Sequence, residues 1–255
     1  KALEMPGVET VITSEDVPGE DRFGVYYHDQ PVLAKGKIRF YGEPVVAIVA
    51  ETLEDAEEAE KGVEITYKKL PVVSNIQEAI ECKAVLHEDH PDNIVSTTCV
   101  QKGNVEEGFK SSEIIIEKDF STQAVDHAYL ETEAGISYCD PDGTIVVKSC
   151  DQDITHHRVL LAKILGMPIN KVRVIMSPVG GGFGGKEDMI YQAILAIATL
   201  KTNQPVKLVF SREDSMIGSC KRHPVTMHYK IGLKSDGKIQ AVKAEIRSDG
   251  GAYCF

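Results

Sequence analysis

The feature that most constrains this chain is the stretch VGGGFGGKED at residues 179–188, where five glycines surround one aromatic residue, Phe183. VRVIM (172–176) before it is typical of a strand, and apolar residues at helical spacing follow from 190 to 200. Glycine permits positive φ and close approach of a ligand to the main chain, and amides ahead of a helix favour an anion. Because such a glycine-rich run costs conformational entropy that a plain turn does not require, the loop predicts an anion-binding segment.

Two nucleotide-binding motifs overlap this loop. Gly180, Gly185 and Lys186 fit G-x-x-x-x-G-K, but Glu187 follows where a P-loop has Ser or Thr, and a carboxylate repels phosphate, so we reject a P-loop. The loop also fits G-x-G-x-x-G, but LKTNQPVKLV (200–209) lacks the acid expected about 20 residues on, and the strands before the loop look antiparallel. A dehydrogenase that binds NAD or FAD therefore remains a minor alternative.

Helix and strand patterns alternate along the chain and predict two domains of an α+β protein. EPVVAIVA (43–50), a helix from Thr52 to Gly62 and VEITY (63–67) together predict a βαβ unit. The polar linker HEDHPDN (87–93) places a domain boundary near residue 84, which gives domains 1–83 and 84–255.

The second domain begins with strand patterns and continues with mixed elements. The patterns predict strands at 112–120, 127–139, 144–149, 172–176 and 205–210, helices at 154–165 and 190–200, and a hairpin of HYKIGL and KIQAVKAEI around KSDG. DPDG (140–143) predicts a turn, and Gly166 with Pro168 predicts the end of the first helix.

Composition and chain ends narrow the class of protein. The net charge of -11 argues against nucleic acid and anionic membranes as partners, and no apolar run is long enough to span a bilayer. None of the six cysteines forms a C-x-x-C pair, which is typical of free thiols in the cytoplasm. The chain lacks an initiator methionine and stops at GGAYCF within a strand-like pattern, so we interpret both domains as truncated parts of a longer polypeptide.

A resemblance to a known family joins these observations. MSPVGGGFGGKED (176–188) resembles the glycine–phenylalanine loop of the xanthine dehydrogenase and aldehyde oxidase family of molybdenum hydroxylases, and the resemblance is strongest to bacterial xanthine dehydrogenase-like members. Residues 1–83 resemble the family's small α/β hammerhead domain, through KALEMPGVETVITSEDVPG, PVLAKGKIRFYGEPVVAIVAET and GVEITYKKLPVV. Residues 84–255 resemble the first part of its molybdopterin-binding domain, through HAYLETEAGISY, CDQDITHHRVLLAKILGMP and SREDSMIGSCKRHPVTMHYKIG.

The resemblance implies a cofactor site around the loop. Molybdenum would be held by the sulfurs of molybdopterin, possibly as its cytosine dinucleotide, and not by side chains, so we interpret His156 and His157 as surface or packing residues. Gln152 matches a glutamine whose amide donates toward an oxygen ligand of the molybdenum, although Cys150 and Asp151 stand where the family has Ser and Thr. The alternative for Gln152 is an ordinary polar residue at a helix N-terminus.

The same resemblance implies a role for each part of the glycine loop. The backbone of Gly181, Gly182, Phe183, Gly184 and Gly185 would bind the cofactor, and the Phe183 ring would shield the metal from water. The alternative for Phe183 is a plain core aromatic.

The implied substrate is a purine or a related N-heterocycle. Glu187 matches an acid that contacts the purine in xanthine-oxidising members, whereas aldehyde-oxidising members have other residues there. Asp188 is expected to stabilise the first turn of the following helix. The general-base glutamate and the substrate arginine of the family would lie beyond this chain, so no catalytic residue is assigned and the segment alone is expected to be inactive.

The implied reaction is hydroxylation with water as the oxygen source, after which electrons pass to 2Fe-2S and FAD centres. These centres require partners: the remainder of the molybdopterin subunit, an iron–sulfur subunit and an FAD subunit, in an oligomer. Three alternatives remain, which are an aldehyde oxidoreductase of the same family, the dinucleotide-dependent dehydrogenase, and a non-catalytic scaffold that keeps the fold without the cofactor.

Overall fold

The computed structural model describes residues 1–254, so Phe255, the last residue of the predicted second domain, lies outside the described part. The chain divides into two compact units. The first unit contains residues 1–68, 126–221 and the end of the chain from 252, and the second contains 69–125 and 222–251. Each unit thus draws on separate stretches of sequence, and the boundary near residue 84 stays a prediction.

The described chain is a mixture of strands and helices, which confirms the α+β class. The strands are β1 (Val8–Ile12), β2 (Arg22–Phe23), β3 (Gln30–Pro31), β4 (Ala47–Ala50), β5 (Ile114–Ser121), β6 (Ala134–Cys139), β7 (Ile145–Ser149), β8 (Val172–Met176), β9 (Val206–Val209), β10 (Val225–Leu233) and β11 (Ile239–Ser248). The helices are α1 (Leu53–Glu60), α2 (Ile76–Ile80), α3 (Val105–Lys110), α4 (Ile154–Ile164), α5 (Gln192–Thr202) and α6 (Arg212–Gly218).

The first unit is built on a four-stranded sheet in the order β8-β7-β6-β9. Only β7 and β8 run parallel, with Val147 opposite Val174, and the other neighbours are antiparallel. This topology contradicts the doubly wound sheet that a dinucleotide-binding domain requires. Helix α5 packs on β6 and β7 and is buried from Gln192 to Thr199, because its alanine- and isoleucine-rich sequence is apolar on every side.

The predicted start of the first helix at Thr52 is confirmed, whereas its end is not at Gly62, because α1 ends at Glu60 with Lys61 as its C-cap. The Thr52 side chain accepts from the backbone of Asp55 at the start of α1, and Asp153 accepts from His156 at the start of α4. Gly166, with φ +61°, follows the end of α4. The predicted DPDG turn is confirmed, since Gly143 has φ +80° and its N–H donates to the carbonyl of Asp140.

The βαβ unit predicted for 43–67 is wrong. Strand β4 pairs antiparallel with β1, with Ile12 opposite Ala47, and residues 63–67 form no strand. A strand needs a neighbouring backbone to bond its N–H and C=O groups, and within residues 1–254 this stretch has none. The predicted strand at 127–139 is also shorter, because only Ala134–Cys139 pairs with a neighbour.

The second unit is a three-stranded antiparallel sheet in the order β11-β10-β5 with α3 on one face. The predicted hairpin is confirmed: β10 and β11 pair along their length, and Gly237 turns the chain with φ +84°. Gly232 permits α3 and the residue after its C-cap to pack closely, since a Cβ there would lie 3.1 Å from the Phe109 Cδ1 and 2.2 Å from the Ser112 Oγ. The other face carries exposed apolar side chains, among them Ile114, Ile116, Phe120, Val242 and Ile246.

Strand β11 ends at Ser248 and the chain then turns at residues 251–252. The prediction that a strand runs into GGAYCF is therefore wrong for the residues up to Cys254. None of the helices within residues 1–254 has the length and apolar content that a bilayer crossing needs.

Candidate functional site

The glycine loop (residues 180–185) lies between β8 and α5, as the sequence predicts. Ser177 continues the sheet by donating to the carbonyl of Ser149, and the chain then leaves the sheet. Helix α5 begins only at Gln192, so Asp188 does not lie in its first turn, and that prediction is wrong. Asp188 instead lies half-buried beside Cys220, and burial raises the pKa of its carboxyl.

The loop backbone is left-handed at several positions, including a non-glycine one. Gly181 and Gly184 have φ +101° and +92°, and Phe183 between them has φ +56°. A side chain in this conformation costs roughly 1–2 kcal/mol. The Phe183 ring is 75% exposed, so the alternative of a plain core aromatic is wrong. Strain held at an exposed aromatic is typical of functional loops.

Gln152 is bonded into the loop. Its side-chain Oε1 accepts from the N–H groups of Gly184 and Lys186, both at 3.1 Å, and its own N–H donates to the Lys186 carbonyl at 2.9 Å. Because both loop N–H groups donate to this atom of the Gln152 side chain, it must be the amide oxygen. The Nε2 group of Gln152 therefore points away from these two N–H groups. Asp153, not Gln152, caps α4, so the alternative of an ordinary N-terminal polar residue does not describe this side chain.

Close approach explains two of the glycines. A Cβ on Gly182 would lie 2.2 Å from the Gln152 Oε1, and a Cβ on Gly185 would lie 2.8 Å from the His127 Nδ1. Both values are far below van der Waals contact. The loop can therefore lie against Gln152 and His127 only if these positions carry no side chain.

A row of unused donors remains after these bonds are assigned. The N–H of Gly180 donates to Glu131, and those of Gly184 and Lys186 donate to Gln152. Within residues 1–254, the N–H groups of 181, 182 and 183 have no acceptor, and we call these three groups the donor row. The Gln152 Nε2 group likewise has no partner in that range. Four unpaired donors beside left-handed backbone are a pattern that can bind an anionic group.

Lys186 and Glu131 form an ion pair that sequence reasoning missed. The Lys186 side chain is only 2% exposed, its Nζ lies 2.8 Å from the Glu131 Oε2, and it lies 4.6 Å from the centre of the Tyr129 ring. Burial raises the pKa of Glu131, but the hydrogen bonds from Lys186 and the Gly180 N–H lower it by more than burial raises it. The pKa of Glu131 therefore lies below its ordinary value. The sequence does contain one signal for this pair. Lys186 stands directly after the glycines and before Glu187 and Asp188, and a lysine at this position indicates a specific partner.

The acid that departs from the family pattern, Asp151, is directed into the core. It is fully buried and accepts from the side chains of Ser149 and Gln192. Its Oδ2 lies 3.4 Å from the Nδ1 of His157, whose Nε2 lies 2.8 Å from the Glu187 carbonyl. The packing role predicted for His157 is confirmed by its full burial. The Asp151 charge is thus held by neighbours in the core.

The predicted substrate residue Glu187 has an exposed side chain. Its backbone is fixed by His157 and by a bond from its N–H to the Gly184 carbonyl, at 3.4 Å. Its carboxylate forms no hydrogen bond or ion pair with any residue from 1 to 254. A carboxylate in this position can accept hydrogen bonds from a ligand beside the loop.

The donor set fits an anionic cofactor better than a bare cation. The part of the chain that the structure describes contains no group of three or more His, Cys, Asp and Glu side chains that could hold a metal ion. The groups of the loop and of Gln152 that lack a partner are N–H and amide donors, and such donors can bind the oxygens of an anionic group. The site residues predicted from the resemblance, Gln152 and residues 181–185, do lie together.

Comparisons with known proteins identify the family of the chain. Residues 86–255 match the family model of the molybdopterin cofactor-binding domain, and residues 1–71 match that of the aldehyde oxidase and xanthine dehydrogenase a/b hammerhead domain. The chain is 38% identical over 254 residues to the nicotinate dehydrogenase large molybdopterin subunit of Eubacterium barkeri, and the match covers 99% of this chain and 59% of that protein. It is 37% identical over 254 residues to a probable xanthine dehydrogenase subunit of Bacillus subtilis, at 99% and 34% coverage.

Solved structures show the same fold. The aldehyde oxidoreductase from Desulfovibrio desulfuricans matches with a TM-score of 0.90 and 26% identity, over 97% of this chain and 29% of that one. Quinoline 2-oxidoreductase from Pseudomonas putida 86 matches with a TM-score of 0.88 and 26% identity, over 99% and 33%. The chain thus spans between 29% and 59% of the length of these relatives.

Proposed function

The chain belongs to the xanthine dehydrogenase and aldehyde oxidase family of molybdenum hydroxylases, and from this premise we propose that it binds molybdenum–molybdopterin at the glycine loop and takes part in the oxidation of a purine or related N-heterocycle. The oxygen would come from water. The observation that supports the proposal most directly is the donor row beside the Gln152 amide.

The chain's own residues would bind and orient the cofactor. When bound, molybdopterin would supply the metal that takes two electrons from the substrate. The donor row and the Gln152 Nε2 would bond to oxygens of this group, and Gly184 and Gly185, which carry no side chain, would let the backbone lie close to it. The Phe183 ring, exposed on the loop, would cover the site and keep bulk water from it.

Glu187 would bind the substrate. Its exposed carboxylate can accept hydrogen bonds from the N–H groups of a heterocycle. The hydrogen bond between the Glu187 carbonyl and His157 fixes its backbone. Xanthine, nicotinate and quinoline, named in the relatives, are all nitrogen heterocycles. An aldehyde remains the second candidate, because an aldehyde oxidoreductase gives one of the strong structural matches.

Other parts of the enzyme would complete the reaction. We propose that the remainder of the molybdopterin subunit supplies the general-base glutamate and the substrate arginine, while an iron–sulfur subunit and an FAD subunit supply the 2Fe-2S and FAD centres. The assembly would be an oligomer in the cytoplasm, and its pterin could be the cytosine dinucleotide form.

The test uses the complete enzyme, produced with its partners in cells supplied with molybdate. Gln152→Glu keeps an acceptor for Gly184 and Lys186 but replaces the Nε2 donor with an oxygen that repels an anion. We expect this variant to fold and to lose most of its molybdenum, measured per polypeptide, whereas Gln101→Glu, on the exposed surface, should retain it. A wild-type enzyme without molybdenum, or a Gln152→Glu enzyme that retains it fully, would favour the scaffold alternative.

Substrate class is tested separately. Glu187→Val should lower kcat/KM for xanthine, whose ring N–H groups can donate to the carboxylate, about 10- to 100-fold, because a lost charged hydrogen bond is worth roughly 1.5–3 kcal/mol, and should leave benzaldehyde oxidation nearly unchanged. A wild-type enzyme that oxidises only benzaldehyde would assign the aldehyde activity instead.

A further inference from the structure

One carboxylate oxygen closes the glycine loop at both ends. The Glu131 Oε2 accepts from the N–H of Gly180, the first glycine, at 2.8 Å. The same oxygen accepts from the Nζ of Lys186, the residue after the last glycine, also at 2.8 Å. The N–H of Glu131 in turn donates to the Gly180 carbonyl at 3.3 Å. We call Glu131 and Lys186 the closing pair.

The loop needs such a device because its sequence does not fix its shape. Glycine has more conformational freedom than any other residue, so an unrestrained run of glycines populates many arrangements. The donor row can face one anion only if the loop holds one arrangement, and donors that are fixed in advance bind more tightly than donors that must first be ordered.

The surroundings of Lys186 show that its charge belongs to the closing pair and not to a ligand. Its side chain is 2% exposed, it lies over the Tyr129 ring, and Glu131 neutralises it. Tyr129 and Glu131 come from the same segment, which Arg212 fastens by donating to the Tyr129 and Leu130 carbonyls at 2.6 and 2.9 Å. The loop is therefore tied to a part of the fold that is itself fixed.

We propose that the closing pair is a positioning device, which holds the donor row in its binding arrangement before the anionic cofactor arrives. This inference rests on the proposed function for the identity of the anion. Neither side chain forms a hydrogen bond with the donor row within residues 1–254, so the pair acts through the backbone between Gly180 and Lys186.

Two measurements test the pair in the full-length enzyme. In the cofactor-free protein, deuterium uptake of the peptide that contains residues 179–188 reports the order of the loop. In the loaded enzyme, the rate of molybdenum loss on dialysis reports how well the cofactor is held. Lys186→Met and Glu131→Gln should each raise the deuterium uptake of the loop. They should also speed molybdenum loss about 10- to 100-fold, which is the usual effect of removing a residue that orients the groups around a metal without contacting it.

Matched variants separate positioning from stability. Lys186→Arg keeps the cation and should restore most of the retention. The double variant should lose molybdenum no faster than the worse single one, because the two residues act as one unit. Leu161→Ala, in the fully buried core, should lower the Tm yet leave loop uptake and molybdenum loss unchanged.

Two results would contradict the positioning role of the closing pair. Unchanged loop uptake in Lys186→Met, or a Leu161→Ala enzyme that loses molybdenum as fast as Lys186→Met at a similar Tm, would overturn the proposal. If the wild-type enzyme contains no molybdenum, the proposed function fails, while loop uptake in the same cofactor-free protein still decides whether the pair orders the loop.

Discussion

Phe183 combines a left-handed backbone with an exposed ring, so its energetic cost and its role can be separated. Phe183→Gly removes the side chain together with the strain, whereas Phe183→Ala removes the ring and keeps the strain. We expect the free energy of unfolding of the cofactor-free protein to be about 1 kcal/mol higher for the glycine variant than for the alanine variant. Urea unfolding measures this difference, and equal stabilities would show that residue 183 is not left-handed in solution.

Gly182 gives a second prediction at a single residue. The Cβ of Gly182→Ala would overlap the Gln152 Oε1, which lies at the end of a flexible side chain and can move. The variant should therefore lose only about 1–2 kcal/mol of stability, because the hydrogen bonds of the Gln152 side chain are displaced. It should nevertheless lose most of its molybdenum.

A matched control for Gly182→Ala is Gly143→Ala in the DPDG turn. Gly143 has φ +80° and no atom within 4 Å of an added Cβ, so its substitution costs about 1 kcal/mol of strain away from the loop. We expect this variant to retain its molybdenum. Equal retention in both variants would contradict the placement of Gln152 against the loop.

The sequence predicted some site residues better than others. Gln152 and residues 181–185 were assigned because one resemblance covers both segments, and the structure brings them into contact. Glu131 was missed because its segment has a strand-like pattern, although residues 127–133 pair with no strand in the described chain. A contact between residues that lie 55 positions apart leaves no local pattern in a single sequence.

At the scale of elements, α4 is fastened by His157, which predicts a dependence on pH. Burial lowers the pKa of His157, but the Asp151 carboxylate, 3.4 Å from its Nδ1, and the Glu187 carbonyl outweigh burial, so the pKa of His157 is raised above its ordinary value in the folded state. A raised pKa contributes stability that is complete below the unfolded-state pKa and is lost as pH rises through the folded-state pKa. The stability that His157 adds relative to His157→Gln should therefore be largest near pH 6 and smaller near pH 9.

Urea unfolding of the cofactor-free protein at these pH values measures the effect. His156→Gln is the matched control, since its neighbour on α4 is not fully buried, and its difference from wild type should not vary with pH. A His157→Gln difference that grows toward pH 9 would contradict the ion pair with Asp151.

Elements were predicted where the signal is local and missed where it depends on a neighbour. The start of α1 was predicted from Thr52, whose cap is made within three residues; Asp153 caps α4 over the same distance. Residues 63–67 have strand-type side chains, yet they pair with no strand in the described range, because pairing needs a second backbone that composition does not reveal.

At the scale of the whole molecule, the two units differ in how much apolar surface they bury. The core cluster, which includes Ile145, Leu161 and Ile197, lies in the first unit. In the second unit, all of whose residues the structure describes, the buried apolar residues are Phe109 and Ala241. Interleaved segments build each unit, so a single boundary on the sequence could not predict this division.

This difference predicts unequal local stability. Burial of apolar side chains is the main favourable term in folding, so the second unit should open at a lower free energy than the first. We expect amides of β10 and β11 to exchange faster than those of β7 and α5, measured by hydrogen exchange of the cofactor-free protein. Phe109→Ala removes one of the two buried apolar side chains of the second unit and should speed exchange in β10 and β11 while α5 keeps its protection. Equal acceleration in α5 would instead mean that the described chain opens as one cooperative unit, and the uneven core would then not govern its stability.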